Sequence, residues 1–518
     1  MSSLGYHTQT KNPLPMQRAV IAPVAAPPKP IARRCACATF LLMTMLALAI
    51  SLPITYSSRS QPIDTSGGLQ VRQYRDMIHM LRFTPGVTPP NAAALYAYAS
   101  IGVYELTRWN DPGESLRTQF GLKKSNIPVP NDEIKGAVNY FFKRYFLHFF
   151  ASDVCYRELV NASAYRYAGE EQSICPSSND TVRQENLNRI TTTYMEERRT
   201  LAETDRAKEA ADSILEQLIQ KFEDSGSTAA NFGVSDLKYP GSWRPTADLV
   251  ISGQDCWPDS CSMGGTGFTV INGSHDGLLP YWGFNAPLTS EQCITNTQPV
   301  DPPMSNSSLH KNRVESIFIE STSLTEEQRN IAAFWNDFPG STATPPGHTL
   351  SIASQLAEQN NLGMRDEALM YAMVGIAVND AFISCWKAKY NTNLERPITA
   401  IRRWFDDSWS PLLTTPPFPE YTSGHSVQTA AAIQVFIHLF GDRPFADATH
   451  VDRTDFDGSI RYYDSLSDLA FEAAMSRIYS GIHYQEAVIL GLYQGMAVGR
   501  CVIDLFDNQQ LTSVDVSE

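Results

Sequence analysis

Lys389-Tyr-Asn-Thr-Asn-Leu-Glu-Arg396-Pro397, Thr422-Ser423-Gly424-His425 and Ser476-Arg477-Ile-Tyr-Ser-Gly-Ile-His483 fall within one stretch, Trp386 to His483, and decide how the rest of the chain is read. Together they supply three cationic side chains, a hydroxyl, helix-start amides and two imidazoles. Such a donor set suits a tetrahedral or trigonal-bipyramidal oxyanion carrying several negative charges. Pro397 disfavours helical geometry for Arg396, and Asn391 and Asn393 favour a turn. Lys389 is therefore expected to end one helix and Arg396 to open the next, both aimed at one pocket. Ser423 reads as an N-cap, with Gly424 and His425 opening a helix whose free amides and positive end can hold oxyanion oxygens. Arg477 lies on a helix that Gly481 can end, leaving His483 on the loop that follows. Singly, these are ordinary features: surface charges, a capped helix, a structural histidine. In this order they point to function.

The clusters resemble the signature of the vanadium-dependent haloperoxidases and of their relatives, the acid phosphatases of the type-2 phosphatidic acid phosphatase superfamily. That signature is a Lys ahead of Arg-Pro, then Pro-Ser-Gly-His, then Ser-Arg with a His downstream. Every ligand-type residue matches in order and spacing, with Thr422 standing where the family usually has Pro. The resemblance implies an all-α core of two four-helix bundles. It also implies a vanadate cofactor bonded to His483, with Lys389, Arg396, Ser423, the Gly424 amide and Arg477 holding its oxygens. His425 is implied as the acid-base residue, and Lys389 as the group that polarises bound peroxide for attack by halide. Trp386 and Phe418 match positions lining the halide pocket of fungal chloroperoxidases, and Asp337 is aligned as the partner of an active-site arginine. The implied partners are hydrogen peroxide, a halide and an organic acceptor.

A hydrophobic fraction of 43% with 19% charged residues describes a folded globular protein, and 518 residues can bury a substantial core. The net charge of -14 argues against nucleic-acid binding, so the oxyanion pocket is a local positive site in an acidic protein. Residues 1–34 are rich in Pro and Ala and carry only positive side chains, an expected cytosolic tail. Residues 35–57 contain no charge and are long enough to span a bilayer, with the Lys and Arg excess on the N-terminal side. This predicts a signal anchor, or a cleaved signal peptide, that places the catalytic part in the lumen or outside the cell. Acceptor sequons at Asn161, Asn179, Asn272 and Asn306 agree. Cys256 with Cys261 and Cys155 with Cys175 are spaced for loop disulfides, while Cys293, Cys385 and Cys501 cannot be paired from sequence. Cys35 and Cys37 are candidates for palmitoylation or are ordinary thiols.

Residues 69–229 read as an N-terminal helical half: helices at Leu69–Phe83, Asn91–Trp109, Asp132–Phe150 with an aromatic face, and a charged stretch Val182–Glu223. Residues 230–324 read as an irregular connector, and the surroundings of Trp243 and Trp282 resemble the connector of the family. Residues 325–510 read as the C-terminal half, starting with a capping-box pattern at Thr325 and containing no convincing strand.

Two other readings compete with the haloperoxidase. An acid phosphatase would use His483 as a phosphohistidine nucleophile and His425 as leaving-group acid, with the same cations around a pentacoordinate transition state. A catalytically silent anchored or secreted binding protein is expected to have lost a cation or a histidine, and none is missing. An integral lipid phosphate phosphatase is disfavoured because a single apolar segment suggests itself as a span.

Overall fold

The computed structural model describes residues 68–151, 188, 192, 201–225, 242–243 and 277–508, apart from short breaks. The expected tail, apolar segment, sequons, paired-cysteine loops and most of the first part of the Val182–Glu223 helix lie outside the described residues.

Helices dominate. They are α1 Leu69–Phe83, α2 Pro89–Thr107, α3 Arg117–Phe120, α4 Ile134–Phe146 and α5 Asp205–Asp224. Then come α6 Glu291–Asn296, α7 Ser308–Thr322, α8 Glu326–Phe334, α9 Thr344–Gln359 and α10 Met364–Thr392. Last are α11 Pro397–Trp404, α12 Gly424–Phe440, α13 Leu466–Tyr479 and α14 Gln485–Asp507. The starts follow from the sequence. Thr325 and Gln328 form the anticipated capping box at α8, and Thr88 accepts from the Asn91 amide at the start of α2.

The axis of the fold is α10, buried on all sides from Ala368 to Trp386 and packed against α2, α12 and α14. This explains its lack of amphipathic periodicity. Helices α4 and α5 close the first half against α2, and α13 lies against α12 and α14. By length and hydropathy two described helices, α10 and α14, could cross a membrane; the apolar window of α10 is wholly buried in the fold and that of α14 is 44% buried. The apolar segment at residues 35–57 is therefore not the only stretch of sufficient length and hydropathy, although α10 spends its hydropathy on the core.

Helices α12 and α14 run parallel with almost no side-chain layer between them. A Cβ at Gly491 would press on Ser423 and Ser426, one at Gly495 would collide with the Val427 carbonyl, and one at Gly499 would press on Ala431 and Gln434. Glycine every fourth residue thus brings two backbones into contact and sets their starts side by side. The Ser423 amide donates to the Ala487 carbonyl at 3.0 Å across this end.

Two expectations need correction. A short antiparallel pair, β1 Phe445–Asp447 with β2 Arg461–Tyr463, occurs where no strand was expected. Three residues are too few for alternation to be visible. The irregular connector also contains α6 and α7. Ser307, read as part of an acceptor sequon, caps α7 by accepting from the His310 amide at 3.1 Å. Helix α6 is tied to α14 by a disulfide between Cys293 and Cys501, a pairing that sequence left open. Cys385 is a buried free thiol.

Candidate active site

The three clusters converge. Helix α10 delivers Lys389 in its last turn and ends at Asn393, whose left-handed backbone (φ 45°) and amide bond to the Lys389 carbonyl at 2.8 Å close it. Arg396 is the N-cap of α11 and Ser423 the N-cap of α12, accepting from the Ser426 amide at 3.3 Å. Helix α13 ends at Tyr479, Gly481 turns the chain at φ 74°, and His483 follows on the loop before α14. Lys389, Arg396, Ser423, Arg477 and His483 are all buried.

Nδ1 of His483 donates to Glu420 Oε1 at 2.8 Å, which leaves Nε2 with its lone pair, 3.1 Å from Arg396 Nη1. Arg396 further donates from Nε to the Phe418 carbonyl at 2.9 Å and from Nη1 to the Ile482 carbonyl at 2.8 Å. Its Nη2 is buried without a hydrogen-bond partner. Arg477 donates from Nη1 to the Trp335 carbonyl at 3.0 Å, and its Nε is buried and unpartnered. His425 bonds to the same Trp335 backbone, leaving its Nε2 buried and unpartnered.

Lys389 differs from the sequence expectation in where it points. Its ammonium donates to the carbonyls of Pro419 and Glu420 at 3.0 Å and of Thr422 at 2.5 Å, so it anchors the loop leading to Ser423. Asp337 also differs. Its carboxylate contacts His348 at 2.9 Å and His450 at 3.4 Å rather than an arginine, and reaches Arg477 only as a nearby charge.

The charges are strained by burial. Burial pushes Lys389 down to about 7, with Arg396 and Arg477 adding repulsion and Glu420 opposing it. The two guanidiniums are lowered by the same burial, though arginine keeps its proton. Burial, then Arg396, Lys389 and Arg477, hold His483 well below its usual value, and burial with Arg477 does the same to His425. Both imidazoles are therefore neutral. Burial raises Glu420 to about 7 despite Arg396 and the Tyr484 amide.

A vanadate or phosphate-like guest fits this arrangement. Three buried cations repel one another, N–H groups of two arginines are buried without a partner, and a helix start lies at Ser423 beside them, all conditions that an oxyanion relieves. Beside the cations lies an aromatic wall. The Trp386 and Phe418 rings are 4.9 Å apart, the Lys389 ammonium is 5.0 Å from the Phe418 centroid, and a Cβ on Gly424 would touch Trp386 and Phe382 at ordinary contact distance.

Glu420, Trp335 and Phe382 were not singled out from sequence. Glu420 was within reach, because an imidazole that must present Nε2 needs an acceptor at Nδ1.

Residues 369–510 match the family model of the VCPO second helical-bundle domain. Vanadium chloroperoxidase of Curvularia inaequalis is 26% identical over 181 residues, spanning 25% of this chain and 29% of that enzyme's length. The crystal structure of the first bacterial vanadium-dependent iodoperoxidase is similar, with a TM-score of 0.62 and 24% identity, covering 86% of this chain and 96% of that one. A holo bacterial vanadium-dependent chloroperoxidase is similar at a TM-score of 0.55 and 15% identity, covering 85% and 98%. At these identities the structural likeness is one of fold.

Proposed function

This chain resembles the vanadium-dependent haloperoxidases in sequence and in fold, and from its site we propose that it oxidises halide with hydrogen peroxide to hypohalous acid, which halogenates an organic acceptor. The observation that carries this reading is the set of unpartnered buried groups, Arg396 Nη2, Arg477 Nε and His425 Nε2, gathered near the Nε2 lone pair of His483.

Vanadate held by Arg396, Arg477, Ser423, the Gly424 amide and His483 Nε2 would supply Lewis-acid activation of peroxide without a change of oxidation state. The protein's own groups do the rest. Glu420 fixes the His483 tautomer. The neutral His425, with Nε2 buried and unpartnered, would hold or move a proton at that atom beside bound peroxide. Lys389 contributes positive charge while holding the loop at residues 419–422, and any direct contact with a bound oxygen requires it to release one carbonyl. Trp386 and Phe418 offer an apolar wall, crossed by the field of two cations, where a halide can sit partly dehydrated.

The segment at residues 35–57 is proposed to anchor or export the chain, with the catalytic part on the lumenal or outer side. The Cys293–Cys501 disulfide supports an oxidising compartment.

The test is a paired assay on purified protein reconstituted with vanadate: peroxide-dependent halogenation of monochlorodimedone with chloride, bromide and iodide, against hydrolysis of a phosphomonoester without vanadate. Halogenation lost in His483→Ala supports the proposal. Phosphatase turnover without halogenation moves the assignment to the acid phosphatases, and vanadate binding with neither activity moves it to a silent binding protein.

A further inference from the structure

Against Trp335, whose ring stacks on His348 with centroids 4.4 Å apart, lies a second polar cluster to which the proposed reaction assigns no step. Asp337, His348 and His450 each offer one ligand atom, all within 4.8 Å of one another, and all three residues are buried. They come from separate places: the turn after α8, the first turns of α9, and the loop after β1. Asp337 has a left-handed backbone (φ 46°), which short acidic side chains tolerate.

We infer that Asp337, His348 and His450 form a binding site for a divalent transition ion of the zinc class, distinct from the oxyanion pocket. Nδ1 of His348 is 2.9 Å from Asp337 Oδ2, and Nε2 of His450 is 3.4 Å from Asp337 Oδ1. Ligand atoms about 3.3 Å apart are expected around a tetrahedral zinc with bonds of about 2.0–2.1 Å. The outer support is also present. His348 directs its other nitrogen, Nε2, to Asp447 Oδ2 at 2.8 Å, and Asp447 Oδ1 in turn accepts from the Thr449 amide at 2.9 Å. A carboxylate behind a ligating histidine is the usual means of fixing its tautomer and raising its basicity.

A proton on His348 is the competing occupant, bridging Asp337 and Asp447. It satisfies one oxygen of Asp337 but leaves Asp337 Oδ1 and His450 Nε2 buried, facing each other and without a hydrogen bond. A dication engages all three ligands and balances both carboxylates, and its binding expels the His348 Nδ1 proton to solvent. Such an ion pins the segment whose Trp335 carbonyl accepts from Arg477, a structural role that holds whichever reaction the pocket performs.

The experiment uses the purified full chain, stripped with chelator and titrated with zinc chloride alone, following metal content, heat of binding and melting temperature. One zinc per chain, proton release on binding and a raised melting temperature are expected, with binding lost in Asp337→Asn and His450→Gln and weakened 10–100-fold in Asp447→Asn. A stripped protein that melts identically with and without zinc overturns the inference, as does zinc binding that survives both ligand substitutions. Should Asp337→Asn fail to fold, His450→Gln decides, since its Nε2 makes no hydrogen bond here.

Discussion

Glu420 accepts a hydrogen bond from Nδ1 of His483 at 2.8 Å, and the same oxygen accepts from the Tyr484 amide at 2.9 Å. One carboxylate thus fixes both the tautomer and the backbone of the histidine that would bond the oxyanion. Glu420→Gln is expected to weaken vanadate binding about 10–100-fold with a smaller effect on the fold. Calorimetric titration of vanadate into the variant measures this, and unchanged affinity would remove Glu420 from the site.

Arg477 is buried with a hydrogen bond to Trp335 and an unpartnered Nε. In the ligand-free protein this cation costs stability, so Arg477→Met is predicted to raise the melting temperature by an amount corresponding to roughly 1–2 kcal/mol. The same variant should no longer be stabilised by added vanadate. A lower melting point for the ligand-free variant would overturn the view that this buried cation costs stability.

Lys389 carries a pH signature. Its folded value near 7 lies below the ordinary 10.5, so between these pH values the unfolded chain binds more protons than the native one. Lys389 therefore makes the ligand-free protein more stable as pH rises from about 7 to 10.5. Denaturant melts of wild type and Lys389→Met across this window should differ in slope, with the variant flatter. Parallel slopes would show that the ammonium stays charged throughout.

Two glycine substitutions separate function from packing. Gly424→Ala places its methyl against Trp386 and Phe382 at 3.7 and 3.8 Å, which the fold accommodates, so stability should hold while the KM for halide rises. Gly495→Ala drives a methyl into the Val427 carbonyl and should cost roughly 1–3 kcal/mol. Thermal melts and steady-state kinetics on both variants read the contrast, and a destabilised Gly424→Ala with unaltered KM would argue against a halide site at this wall.

Much of this was legible in the sequence because it rested on local rules. Proline after Arg396, a serine before Gly424 and a glycine before His483 each set a helix boundary, and all three boundaries appear where they were read. What could not be read was which atom a side chain would face. Lys389 turning to three carbonyls, Asp337 turning to two histidines and Cys293 meeting Cys501 all depend on contacts between segments far apart in the chain. The pair β1 and β2 and the helices α6 and α7 escaped for a different reason, being either too short for a periodic signal or masked by a polar start.

The glycine seam between α12 and α14 has a bearing on chemistry as well as on packing. Two helices lying parallel and touching bring their electropositive mouths to one address, and neither can quiet the other. A negative guest is what that address calls for, whatever is later done to it. The seam selects the charge of the visitor and leaves its fate to the residues around the rim.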